Sequence, residues 1–474
     1  MPRPPSSRLL DRLRALLGAK GFSDDADTMA PWLTDWRGKY HGRAAAMLSP
    51  ATTGEVAAAV RLCAEEDAAL VPQGGNSGMV GGATPDGSGT QLLLSLRRMN
   101  RLRTIDEAAQ LAVAEAGMIL ENFHHAVLDH GLRFPLTLGG KGSATIGGLV
   151  STNAGGTQVL RHGTMRALVA GIEAVLPDGS VFDGLAPLKK DNRGYDLKQL
   201  LCGAEGTLGI VTAACLRLVP AAPTRATAWI GLASPDVALQ LLRRLDATLG
   251  RSLEGFELIP HRCLDAVLRH IPQTRAPLDP PHPWYALIEL AGDASDDLDA
   301  RVETELAAAF ESGLIGDVVL AKNEAESEAF WRLRDSISEA ERADGPALQH
   351  DVSVPVDLMP RFIAENPDRL AAAFPGIRTL SFGHLGDGNV HHHVQPPGGV
   401  DGVAWLAAHG EDASRLVYRH VLELGGSISA EHGIGQLKRD LLAELDSPAR
   451  LAALRGVKAG LDPAGLFNPG KLIG

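Results

Sequence analysis

Apolar positions along this chain recur with two periods, and the period changes from one segment to the next. Leu9, Leu10, Leu13, Leu16 and Leu17 return at intervals of three and four, which predicts a surface helix within residues 1–20. Residues 53–68 predict a second helix, with Thr53 as its cap and Val56, Ala59, Val60 and Cys63 on its inner face. The short apolar runs at 70–72, 92–96 and 111–116 predict strands, and 121–129 a helix. Residues 169–176 and 181–182 flank Pro177-Asp178-Gly179-Ser180, the pattern of a hairpin, and 209–219 is a further β-rich run. Between them, residues 139–163 hold so much Gly, Ser, Thr and Asn that they read as one long ordered loop without regular elements.

Composition shifts near Pro220 to Pro223. Beyond it, strands at 229–232, 253–258 and 285–290 alternate with helices at 236–249 and 298–312. That order predicts an antiparallel sheet with helices on one face, an α+β domain. The resulting division is a helical segment over 1–44, a first domain over 45–222, a second over 223–430 and a C-terminal segment over 431–474.

A chain of 474 residues has room for two or three cores. Its net charge of -12 argues against a nucleic-acid partner, which would draw on clustered Lys and Arg, but leaves an acidic small molecule open. Cys63, Cys202, Cys215 and Cys263 form no CxxC pair and sit in apolar surroundings, as buried thiols in a reducing compartment do. No apolar run approaches the ~20 residues of a membrane span. The start of the chain is basic but lacks a signal-peptide core. For a bacterial chain these features point to the cytoplasm, with at most a peripheral place at the inner membrane. A homodimer is compatible with the sequence, which does not itself set the oligomeric state.

The densest chemistry lies at Gly383-His384-Leu385-Gly386-Asp387-Gly388-Asn389-Val390-His391-His392-His393, followed by Ala430-Glu431-His432-Gly433-Ile434-Gly435. His384 and His391 stand seven residues apart across a Gly-Asp-Gly turn. With Glu431 they make a divalent-metal ligand set with room for a further ligand, and His432 beside it is a candidate base. On a strand, His391 and His393 share one face and His392 takes the other.

Glycine-rich loops supply the second signal. The first is Pro72-Gln73-Gly74-Gly75-Asn76-Ser77-Gly78-Met79-Val80-Gly81-Gly82, after a predicted strand. It lacks the Gly-Lys-Ser/Thr of a P-loop and the spacing of a Rossmann fingerprint. The second runs from Pro135 to Gly148 and continues through Thr152-Asn153-Ala154-Gly155-Gly156 to Gly163; the third is Gly203-Ala204-Glu205-Gly206-Thr207-Leu208-Gly209-Ile210. Converging backbone N–H groups of this kind suit a ligand with a pyrophosphate and an aromatic ring system.

In their order, these loops and the His-Leu-Gly-Asp-Gly-Asn-x-His and Glu-His-Gly-x-Gly motifs resemble the vanillyl-alcohol oxidase and p-cresol methylhydroxylase flavoprotein superfamily. Within it the chain is similar to the D-2-hydroxyacid dehydrogenase group, which includes D-2-hydroxyglutarate and D-lactate dehydrogenases and glycolate oxidase subunits. Residues 190–200 add to the resemblance, which runs from about Thr34 to the end.

The resemblance implies a two-subdomain FAD-binding domain, an α+β substrate domain and a C-terminal segment returning to the flavin. Pro72, Gln73, Gly74, Gly75, Asn76, Ser77, Gly78 and Met79 would bind the pyrophosphate. Pro135, Leu138, Gly142, Ser143, Thr145, Gly148, Thr152, Asn153, Gly156 and Gly163 would hold the rest of the FAD, with Gly206 and Ile210 at the adenine end and Asn468 at the flavin. No histidine occurs between Pro72 and Gly82, so the FAD is expected to be noncovalent.

The implied reaction oxidises a small 2-hydroxy acid, D-2-hydroxyglutarate or D-lactate-like, to the 2-oxo acid. A cation at the substrate hydroxyl would lower its pKa, and hydride would pass to flavin. By resemblance the metal sits on His384, His391 and Glu431, zinc foremost with iron or manganese also suited; His432 is the base. Arg334 grips the substrate carboxylate and Ser338 stands nearby. Electrons would leave to an electron-transfer flavoprotein, a quinone or a cytochrome. Two positions depart from the D-2-hydroxyglutarate pattern: Gln349 stands for a lysine and His393 for an asparagine. His393 is open to three readings: replacing the lost cation, joining the metal, or shaping the pocket for a different side chain. Other functions remain to be weighed: a flavin oxidase using oxygen, a metal-dependent hydrolase, and a non-catalytic subunit.

Overall fold

The computed structural model describes residues 3–293 and 297–473. The ends of the predicted N-terminal and C-terminal segments, residues 1–2 and 474, lie outside the described residues. Two compact units emerge: one holds residues up to 156, 163–221 and from 431 onward, the other 157–162 and 222–430.

In the first unit, Leu9, Leu13 and Leu17 of the helix Ser7–Gly21 are buried, and Leu16 faces out. This helix and Thr53–Glu65 cover a four-stranded sheet of order β1-β2-β4-β3, made of Phe22–Ser23 (β1), Ala46–Leu48 (β2), Leu70–Gln73 (β3) and Leu92–Ser95 (β4). The first pair is antiparallel and the others parallel. The cap of the second helix is Thr52 rather than Thr53: its side chain accepts the N–H of Glu55, so the helix starts one residue earlier in the capping sense. It stops at Glu65, and Asp67 turns the chain with a positive φ.

A second, antiparallel sheet of order β5-β6-β9-β7-β8 comprises Leu102–Asp106 (β5), Leu111–Glu115 (β6), Val169–Val175 (β7), Val181–Gly184 (β8) and Ile210–Arg217 (β9). The glycine-rich stretch 139–163, expected to lack regular elements, contains the helices Ile146–Thr152 and Val159–His162. Composition misled here because Ile146, Leu149 and Val150 bury one face of the first of these helices in the core, and burial outweighs the low helical preference of its glycines.

The second unit is built on a seven-stranded antiparallel sheet of order β13-β10-β12-β11-β15-β16-β14. Its strands are Thr224–Leu232 (β10), Leu253–Pro260 (β11), Trp284–Gly292 (β12), Asp317–Leu320 (β13), Leu348–Ser353 (β14), Arg378–His384 (β15) and Asn389–Gln395 (β16). Trp229, Tyr285, Leu287 and Phe382 share a core with Phe330 and Leu333 of the helix Glu324–Asp335 and with Ile337 and Ala340 of the helix Ile337–Ala343. Those contacts fix the helical stretch that carries Arg334, Ser338 and Glu341. All four cysteines are buried and free, and burial pushes the Cys63 thiol up to about 12.

Candidate active site

β15 and β16 form a hairpin whose turn is closed by the Asp387 and Gly388 N–H groups donating to the His384 carbonyl. Gly388 has φ +79°, and a Cβ there would lie 2.1 Å from the Val354 carbonyl oxygen, so the turn admits no side chain. Asn389, buried, donates from Nδ2 to Asp351 Oδ1 at 2.9 Å and to the Val352 carbonyl at 3.1 Å. Burial pushes the Asp387 carboxyl up. The hairpin brings the His384 and His391 rings to 5.7 Å between centroids, at 72°.

Alternation along β16 sorts its three adjacent histidines. His391 and His393 both pack on the Phe382 ring, at 5.1 and 5.3 Å between centroids. His392, on the other face, is fully buried: its Nδ1 faces Ser381 Oγ at 2.8 Å, and its Nε2 faces Asn366 Nδ2 at 2.7 Å. Burial holds it well below the ordinary imidazole range, so it stays neutral. His393 Nδ1 bonds to the buried Glu341 carboxylate, and in the sheet His393 lies opposite Gln349.

Arg334 is paired with Glu257. Its Nε donates to Glu257 Oε2 at 2.9 Å. Glu257 Oε1 lies 2.5 Å from His384 Nδ1, and Arg334 Nη2 lies 3.4 Å from His384 Nε2. Burial pushes the Glu257 carboxyl up, but Arg334 and His384 outweigh it and hold the group well below the usual carboxylate range. Ser338 is exposed, four residues on from Arg334.

Glu257 was missed in the sequence, as was the pairing of Glu341 with His393. A signal existed for Glu257: it and Glu254 interrupt the otherwise uncharged strand Leu253–Pro260, and buried acids need partners. Both find them, Glu254 with Arg161 at 2.8 Å and His162 at 3.1 Å.

The glycine loops converge within the first unit. Pro72 and Gln73 end β3; Gly74 faces the Thr145 side chain, and a Cβ on Gly75 would fall 1.7 Å from the Ser143 carbonyl oxygen. That approach locks the first two loops backbone to backbone. Asn76 Nδ2 donates to the Thr34 carbonyl at 2.8 Å, and Met79 Sδ lies 3.2 Å from Arg37 Nη2. Ser77 is half-buried and Gly78 has open space around its Cα. Pro135 is buried, Leu138 packs on the core and Gly142 lies near Glu121. Thr145 stands at the N-cap position of the helix that carries Gly148 and Thr152 without a side-chain cap bond, and Asn153 ends that helix in the left-handed region. Gly156 abuts the Thr137 backbone, Gly163 has φ +74°, and Gly206 lies against Pro72. Ile210 is buried in the core. Asn468 Nδ2 donates to the Gly82 carbonyl at 2.8 Å and the Glu205 carbonyl at 2.7 Å, tying the first and third loops to the C-terminal segment.

These loops fit a bound dinucleotide. Among the described residues, buried Thr145 Oγ1 and Asn468 Oδ1 have no hydrogen-bond partner, as expected of polar atoms placed for a ligand. Glu431 and His432 belong to the first unit, in a segment held by Glu205, whose carboxylate accepts the Ile434 and Gly435 N–H groups at 2.7 Å each.

The model of the FAD binding domain matches residues 44–184, and that of the FAD linked oxidases, C-terminal domain, matches 221–472. The bovine mitochondrial D-2-hydroxyglutarate dehydrogenase is 38% identical over 95% of this chain and 80% of its own length. The D-2-hydroxyglutarate dehydrogenase of Xanthomonas citri pv. viticola is 37% identical over 98% of this chain and 97% of its own. The chain belongs to the FAD-dependent D-2-hydroxyacid dehydrogenase family. FAD is therefore its cofactor, and it is an oxidoreductase, which displaces the hydrolase reading of the histidine cluster. Family members include the Arabidopsis thaliana D-2-hydroxyglutarate dehydrogenase, 35% identical over 98% of this chain and 82% of the relative. The fold is also that of p-cresol methylhydroxylase, at TM-score 0.76 and 15% identity over 98% of this chain and 96% of that one. 4-Ethylphenol oxidase from Gulosibacter chungangensis shares it at TM-score 0.70 and 20% identity, with the same coverage.

Proposed function

We propose that this dehydrogenase oxidises a D-2-hydroxy acid to the 2-oxo acid, with a divalent metal held by His384, His391 and Glu431. The observation that carries the reading is the His384–His391 hairpin with Arg334 beside it. Two imidazoles and a guanidinium meet at the β15–β16 hairpin, as an α-hydroxy carboxylate requires. Glu431 follows Ala430, the last residue of the second unit. Four residues before it, Ser427 exchanges two backbone hydrogen bonds with Ser353, the cross-strand partner of Asn389.

FAD, when bound, accepts a hydride; the metal, zinc by ligand type with iron or manganese also suited, lowers the pKa of a coordinated hydroxyl. The first two glycine loops and Asn468 hold the dinucleotide without a covalent link. Arg334 orients the substrate carboxylate, which fixes the C2 hydrogen relative to the flavin. His432 takes the hydroxyl proton. Electrons leave to an acceptor of the electron-transfer flavoprotein, quinone or cytochrome kind. The side-chain end of the substrate meets a pocket wall of His393, Glu341 and Gln349. There the buried acid already engages His393, and no lysine stands at 349, which favours a monocarboxylate such as D-lactate over D-2-hydroxyglutarate.

A dye-coupled screen of D-lactate, D-malate, D-glycerate, D-2-hydroxyglutarate and the L enantiomers on metal-analysed protein tests this. Turnover confined to D enantiomers, fastest with a monocarboxylate, is expected. Flavin left oxidised by every 2-hydroxy acid would overturn it.

A further inference from the structure

Glu257 lies at the centre of the hairpin site, although nothing in the reaction requires it to touch substrate. It stands directly across from His384 in the short β11–β15 ladder, where Glu257 pairs with His384 and Leu258 with Gly383. Its two oxygens serve two different groups: Oε1 meets His384 Nδ1, and Oε2 accepts Arg334 Nε. The carboxylate is fully buried, so its orientation is set by packing and not by solvent.

This arrangement fixes two things at once. A carboxylate 2.5 Å from Nδ1 makes a charge contact there and turns Nε2, the nitrogen left to bind a cation, toward Arg334. Arg334 Nη2, 3.4 Å from that Nε2, lies on the same side of the ring. The same carboxylate anchors the guanidinium through Nε, which sets the plane in which its terminal nitrogens are presented. A single residue thereby sets the separation between the group that holds the metal and the group that grips the substrate carboxylate. For a chelating α-hydroxy acid that separation is the quantity that matters, because the carboxylate carbon adjoins the carbon that bears the hydroxyl.

We infer that Glu257 is a positioning residue that couples the metal ligand His384 to the substrate-binding Arg334. The inference rests on the metal reading given above. Its role differs from a purely structural one: the loss should appear in two binding equilibria and leave the flavin site alone.

The test uses full-length, FAD-loaded protein with Glu257→Gln and Glu257→Asp. Zinc affinity is measured by elemental analysis across chelator-buffered zinc, and KM and kcat for D-lactate and D-2-hydroxyglutarate by dye reduction at saturating zinc. An amide can satisfy His384 or Arg334 with its oxygen, but its NH2 then faces the other donor. For Glu257→Gln a zinc affinity ten- to a hundredfold weaker is expected. KM should rise at least tenfold with kcat falling less, while flavin content stays at the wild-type value. Glu257→Asp keeps the charge one methylene short and should show both losses at three- to tenfold; it carries the test if Glu257→Gln fails to load flavin. Zinc affinity and KM within twofold of wild type in the folded variants would overturn the inference alone. Wild type that binds no zinc at any concentration would overturn the metal reading and this inference with it.

Discussion

His391, His392 and His393 are three consecutive imidazoles with three different environments, and the pleat of one strand separates them. His391 faces the site beside His384; His392 is sealed between Ser381 and Asn366; His393 is bound to Glu341. Their substitutions should therefore diverge. His391→Ala is expected to lose bound zinc, read by elemental analysis, and keep its flavin. His392→Ala should keep zinc but lose about 3 kcal/mol of stability in urea unfolding, because it opens a cavity and strands two buried polar groups. The strand alternation was legible in the sequence, including the turn of His392 to the other face. The partners were not, since Asn366, Glu341 and Glu257 arrive from elements 26 to 127 residues away.

At the scale of elements, buried charges hold loops together. Glu205 gathers the Ile434 and Gly435 N–H groups, and burial pushes its carboxyl up despite them. Glu205→Ala leaves both amides unpaired; a loss of about 2–5 kcal/mol is expected by denaturant titration, together with weaker zinc binding if Glu431 shifts. Lys471, 2% exposed, shows the opposite sign of linkage: burial pushes its ammonium down to about 8, with Asp86 opposing. A base whose folded pKa lies below its unfolded value binds fewer protons when folded. Stability should therefore rise between about pH 8 and 10.5, by up to about 3 kcal/mol. Unfolding of wild type and Lys471→Met across that window checks it: the difference between them should shift by that amount, and parallel curves would refute it. The helix Ile146–Thr152 was illegible for a related reason, since three buried apolar side chains outweigh the local preference of its glycines.

For the whole molecule, FAD and metal are predicted to be separable. Chelation followed by desalting should leave the flavin spectrum intact and abolish its bleaching by a D-2-hydroxy acid, and added zinc should restore it. Acid precipitation should release all the flavin into the supernatant, as noncovalent binding requires. Among the described residues no helix is long and apolar enough to cross a membrane.

The sequence alone determined most of the elements, the glycine loops and the histidine hairpin, and its resemblance to a known family carried the flavoprotein fold. The elements, loops and hairpin are written in short-range spacing: a period of two or about 3.6, a turn of Gly-Asp-Gly, a run of small residues after a strand. Only the tertiary structure decided which acid answers which base. Glu257 meets His384 and Arg334, Glu341 meets His393, and Glu205 holds the Ile434 and Gly435 amides. A buried charge must find a partner, but the chain can supply it from any distance, and the pairing is settled by which strands and helices pack together.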